Sequence, residues 1–115
     1  MSSTYLEGDL SAPTRDIHRA LASLQEELEA VDYYQQRAEQ AQDEELKALL
    51  LHNRREEVEH AAMLFEWLRR HASDFAEQAK TYLFTEGPLT EIEEGEAGAP
   101  DAAKDPGRLN LGDLS

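Results

Sequence analysis

Glu57 and His60 stand three residues apart in the segment His52-Asn53-Arg54-Arg55-Glu56-Glu57-Val58-Glu59-His60. On a helix, side chains at i and i+3 project to one side. A carboxylate and an imidazole so placed can grip one metal ion from a single helix. On a helical wheel Glu57 falls at the centre of the apolar series Leu46, Leu50, Ala61, Leu64 and Leu68, within about 20° of Leu50 and Leu68. A carboxylate on such a face needs a partner, because an unpaired buried charge costs several kcal/mol. A metal ion meets that need. So would a salt bridge to an arginine such as Arg54, with Glu57 at the edge of the stripe and His60 an interface histidine.

Any metal held here would be bound by oxygen and nitrogen, since the chain has no cysteine and hence no thiolate site, iron–sulfur cluster or disulfide. A second carboxylate must come from another element. Glu26, Glu27 and Glu29 are the candidates, and Glu27 lies on the flank of a second apolar series: Ile17, Leu21, Leu24, Leu28 and Val31. Tyr34, seven residues on, shares its side. Tyr34 is placed to hydrogen-bond a ligand or a metal-bound oxygen, or to serve as an ordinary interface aromatic. Glu26, Glu29, Glu56 and Glu59 are either solvated surface charge or the lining of an access path that concentrates cations. His18, His52 and His71 have no partner at ligand spacing and are assigned to the surface or an interface.

Glu27, Glu57 and His60 make half of the ligand set of a di-iron carboxylate bundle, which takes a Glu from each of two helices and a Glu-x-x-His from each of two more. Two copies related by a two-fold axis supply the whole set. The count therefore predicts two hairpins dimerising into a four-helix bundle with the metals at their interface. Carboxylate-rich coordination with open positions suits iron and oxygen chemistry rather than a closed zinc site.

The elements that would hold these residues are legible from glycine and proline. Neither occurs between Pro13 and Gly87, and that stretch is rich in helix formers. Ser11 and Thr14 are the capping candidates at its start. The run from Gln35 to Glu45 lacks large apolar residues, which places a turn near residues 40–43, with Asp43 as the cap of the second helix and Glu44 and Glu45 in its first turn. One long coiled-coil helix fits the same stripes, but a hairpin lets them bury each other. A third, shorter helix follows Ser73-Asp74 and should stop at Glu86-Gly87-Pro88. The fold expected is all-α: an antiparallel two-helix hairpin with a short third helix. Residues 1–13 are expected as a flexible N-terminus, 14–86 as the helical domain, 87–107 as a flexible linker and 108–115 as a distinct apolar tail.

The net charge of −14, from 25 acids against 11 bases, argues against nucleic acid, whose phosphates need a basic surface. No run approaches the roughly 20 apolar residues of a membrane span, and residues 1–13 lack the features of a signal peptide. A cytoplasmic protein is expected.

The segments Glu26-Glu27-Leu28-Glu29-Ala30-Val31-Asp32, His52 to Met63, and Thr81-Tyr82-Leu83-Phe84-Thr85-Glu86-Gly87-Pro88, taken in order, resemble the encapsulated ferritins of bacteria. The resemblance runs from about Asp16 to Glu91. It implies a ferritin-like four-helix bundle built from two chains, assembled as an annular decamer of five dimers. It implies a ferroxidase whose di-iron centre is shared between two chains, with ligands at Glu27, Glu57 and His60 and with Tyr34 near by. Glu26 and Glu29 match acids of a secondary, outer metal-access site. Tyr33 departs from the tryptophan often found before the matching tyrosine, which changes local packing and leaves the ligands intact. The resemblance also implies a location inside an encapsulin nanocompartment. Leu109-Asn110-Leu111-Gly112-Asp113-Leu114 is similar to the peptides that dock cargo on the shell wall, and three leucines on a flexible tether suit a surface groove. Two other roles fit the bare pattern: a non-catalytic helical-hairpin adaptor, and a metal buffer without oxidase turnover.

Overall fold

The computed structural model describes residues 6–98, with side chains through residue 95. The expected docking peptide, residues 99–107 of the linker and the first five residues lie outside the described residues. The described chain is helical, with α1 at Ala12–Gln40, α2 at Glu44–His71, α3 at Ser73–Tyr82 and α4 at Leu89–Gly98.

The helix starts follow from local chemistry. Ser11 caps α1, its hydroxyl oxygen accepting the Thr14 N–H at 3.3 Å, and Pro13 sits in the first turn where its missing N–H costs nothing. The turn falls where expected. Asp43 accepts the Leu46 N–H on Oδ2 at 2.8 Å, a cap contributing about 1 kcal/mol. Glu44 and Glu45 occupy the positive end of α2, and Arg69, Arg70 and His71 its negative end. Only residues 41–43 separate α1 from α2, so the two pack as an antiparallel hairpin.

The seam of that hairpin differs from the expected leucine stripes. Its buried residues are Ala20 and Ala38 on α1, with Ala61 and Leu68 buried on α2. Ala20 and Ala38 lie within about 20° of Glu27 on the wheel. Small residues therefore form the line of closest approach on α1, and the leucines flank it. Leu28 is 55% exposed, and Leu46, Leu49, Val58 and Met63 are exposed as well. Leu68 is the largest fully buried side chain among the described residues. A hairpin of this kind leaves much of its apolar surface uncovered, as the poor surface-to-volume ratio of a short chain requires.

Residues 72–98 form a separate compact unit in which α3 and α4 touch. Two expectations are corrected here. α3 ends at Tyr82 rather than continuing to Glu86. The Thr85 hydroxyl donates to the Tyr82 carbonyl at 2.6 Å, and Phe84 takes a left-handed conformation with φ +63°. That conformation costs an L-residue roughly 1–2 kcal/mol and usually falls to glycine at this position. The second correction is α4, which occupies part of the segment assigned to a flexible linker. Pro88 starts it by accepting the N–H groups of Glu91 and Ile92 at 3.1 Å each, and Glu91 lies in its first turn. Low apolar content hid this element, because local hydrogen bonding rather than burial initiates it.

Candidate metal centre

Glu27 reaches the hairpin seam from α1, and Glu57 and His60 reach it from α2. One ligand atom from each lies within 4.8 Å of the others, a grouping that could hold a metal ion. His60 Nδ1 is 3.3 Å from Glu57 Oε1 and 3.5 Å from Glu27 Oε1. The i, i+3 spacing sets the first distance. The second exists only because the turn at 41–43 folds α1 back along α2.

The group is set into the seam but not enclosed. The side chains of Glu27 and Glu57 are 24% and 23% exposed and that of His60 is 41% exposed, so one side stays open. Glu27 Oε1 is itself buried and accepts no hydrogen bond. Burying such an atom without a donor is unfavourable, and a cation between the three side chains would satisfy it. The donor set and this orphaned oxygen both fit a metal ion of the carboxylate-binding kind.

The electrostatics agree. The Glu27 carboxyl is held above the usual carboxylate range, first because Glu57 stands beside it to hydrogen-bond its protonated form, then by burial and by the Glu57 charge; His60 opposes these. Burial pulls His60 down, but the Glu57 hydrogen bond and the charges of Glu27 and Glu57 outweigh it, and its pKa is raised. Protons and metal would compete for the same atoms.

The other candidate residues are placed differently. Arg54 forms no salt bridge with Glu57. Its Nε is buried without an acceptor, so the salt-bridged alternative for Glu57 is not what the fold builds. Tyr34 is half-buried and is not brought into hydrogen-bond contact with the three residues; its ring lies 5.7 Å from the Arg37 guanidinium carbon, which also stands 5.6 Å from the Tyr33 ring. Glu29 is half-buried and accepts the Tyr33 hydroxyl at 3.3 Å, whereas Glu26 is exposed. Sequence reasoning missed the His52–Glu56 pair, with Nε2 and Oε2 4.0 Å apart, although its i, i+4 spacing was the available signal. It also missed the stacking of His71 on Trp67, with ring centroids 4.0 Å apart.

Comparison with known proteins shows the family. The EncFtn-like family model matches residues 3–86. The chain belongs to the EncFtn-like family. It is 52% identical over 114 residues to the encapsulated ferritin-like protein of Rhodospirillum rubrum, covering 91% of this chain and 81% of that protein. It is 50% identical over 103 residues to a ferritin-like protein of Thermotoga maritima, covering 88% of this chain and 90% of that one. The crystal structure of protein ne0167 from Nitrosomonas europaea is similar as well, with a TM-score of 0.72 and 56% identity, over 76% of this chain and 98% of that chain. This EncFtn-like chain is therefore all-α and ferritin-like. No helix among its described residues is long and apolar enough to cross a membrane.

Proposed function

We propose that this EncFtn-like protein is a ferroxidase, oxidising Fe(II) to Fe(III) with O2 at a di-iron site shared between two chains and releasing the product into the lumen of an encapsulin nanocompartment. The observation that carries the proposal is the Glu27, Glu57 and His60 group across the hairpin seam, open on one side. Each chain supplies half of the ligand set of a carboxylate bundle. A second copy, closing the open side by a two-fold axis, supplies the other half.

Iron bound there supplies the one-electron oxidations that reduction of O2 requires. The protein's part is to hold and orient. Glu57 and His60 approach from one helix at fixed spacing, and Glu27 approaches from the other. Their carboxylates neutralise cationic charge in a partly desolvated seam, where such interactions are stronger than in water. Glu27, Glu57 and His60 would hold a metal in their deprotonated forms, so protons that the raised pKa values of Glu27 and His60 favour would be displaced on binding. Tyr34, on the same side of α1 as Glu27, is proposed to border the site. Glu26 and Glu29 are proposed as an outer access site that gathers Fe(II) from an acidic surface.

Self-association is expected to continue beyond the dimer to a ring of five dimers. The encapsulated relative from R. rubrum supports a location inside a shell. The segment Leu109 to Leu114 is the proposed docking peptide, and the protein inside its compartment is taken to be cytoplasmic.

The test is the initial rate of oxygen consumption after adding Fe(II), for the wild type beside Glu57→Ala. A fast wild-type rate that collapses in the variant is the expected outcome. Equal rates, no faster than Fe(II) in buffer, would leave a hairpin adaptor or a metal buffer in its place.

A further inference from the structure

Two buried side-chain atoms among the described residues lack a hydrogen-bond partner: Glu27 Oε1 and Arg54 Nε. The first is an acceptor on α1 and the second a donor on α2, and they do not pair with each other. The Glu27 oxygen belongs to the metal centre. Arg54 lies one turn before Glu57, at a spacing that puts Cβ atoms roughly 5–6 Å apart. Helical side chains lean toward the N-terminus, so Glu57 leans over the turn that carries Arg54. Yet no ion pair joins them.

Order along the helix explains this. Glu66 precedes Arg69 by three residues and Arg70 by four, and it holds both guanidinium groups at 2.7 Å. Glu57 follows Arg54, the reverse order, in which acid–base pairs on a helix are weaker. Glu57 stands instead 3.3 Å from His60. Arg54 and Arg69 are both half-buried, but of the two only Arg69 has a carboxylate against it. An arginine keeps its charge in a protein, and a partly buried charge is screened less than a surface one. The seam therefore carries a fixed positive charge one turn from a metal ligand, with no carboxylate paired to it.

We infer that Arg54 sets the charge selectivity of the metal centre, disfavouring a trivalent ion there more than a divalent one. The inference rests on the ferroxidase reading for its purpose, since there Fe(II) is the substrate and Fe(III) the product. Coulomb repulsion scales with ionic charge, so one guanidinium opposes the two ions in the ratio of their charges. Glu27 and Glu57 by themselves have the opposite preference, because carboxylates attract the higher charge more strongly. A site with those acids and no counter-charge would retain its product. Arg54 acts through space rather than as a ligand, because a guanidinium has only donors to offer.

The test needs no turnover. Affinities for Zn(II) and for Ga(III), a redox-inert trivalent ion, are measured by competition with nitrilotriacetate. Wild type is compared with Arg54→Gln, Arg54→Met and Arg54→Lys, each checked for helix content by circular dichroism. Both neutral variants should bind Zn(II) at least about fivefold more tightly and Ga(III) at least about tenfold more tightly, from repulsion at a water-like dielectric across roughly 7 Å. Arg54→Lys keeps the charge and should retain the wild-type ratio of the two affinities. A merely structural role would move both ions alike. Equal gains for the two ions overturn the inference, and so does weaker binding in the neutral variants, which would make Arg54 a support for a ligand. Oxygen consumption with Fe(II) is read separately. Charge-ranked affinities without it would sink the ferroxidase reading and leave the selectivity standing. Rapid consumption with unranked affinities would do the reverse.

Discussion

Oε1 of Glu27 on α1 stands 3.5 Å from Nδ1 of His60 on α2, and no N–H or O–H group donates to that oxygen. The contact bridges the two helices of the hairpin and leaves one buried lone pair unused. A cation between these atoms would be held from both helices at once.

This arrangement separates stability from metal binding. Glu27→Gln removes one of two adjacent carboxyls and supplies an amide donor. The metal-free protein should melt no lower than wild type, while affinity for Fe(II), or for Zn(II) as a redox-inert probe, should fall by at least roughly 10- to 100-fold, the range that loss even of outer-shell metal partners produces. Calorimetric titration and a thermal melt of the same sample decide it. A variant that binds metal as tightly as wild type would remove Glu27 from the site.

The pH dependence has opposite signs with and without metal. Glu27 and His60 both have raised pKa values in the folded chain. Their contribution to metal-free stability is present below their ordinary values of 4.5 and 6.5, and it is lost as pH rises through the raised ones. Metal needs the deprotonated groups, so the stability added by Zn(II) should grow over the same rise. Thermal midpoints with and without Zn(II) from pH 4 to pH 8 measure both trends. A metal-induced shift that does not depend on pH would mean that these groups are not the ligands.

Leu28 and Leu68 should respond to substitution in different ways. Leu68 is fully buried, and Leu68→Ala should cost about 2–5 kcal/mol in urea unfolding. Leu28 is 55% exposed, so Leu28→Glu should leave the single chain's helix content intact while preventing dimerisation and, with it, oxygen consumption. Sedimentation and circular dichroism on one preparation suffice. A Leu28→Glu protein that dimerises normally would move the shared interface to another face.

The sequence by itself determined the helices and one half of the site. The absence of Gly and Pro between Pro13 and Gly87, the Ser11 and Asp43 caps and the acids at Glu44 and Glu45 act over one turn of chain, so they are readable without a fold. The Glu57–His60 spacing is equally local. Tertiary structure decided the rest. It made an alanine line, rather than the leucine stripe, the seam of α1, because closest approach favours the smallest side chains and periodicity alone does not rank them. It brought Glu27 to His60 across thirty-odd residues of chain, a closeness set by how the turn at 41–43 returns the helix. It left Arg54 without the carboxylate that spacing offered, stopped α3 at Tyr82 and started α4 inside a segment of low apolar content. Each of these outcomes depends on which surfaces meet and which backbone groups find partners, and that is settled only when the chain is folded.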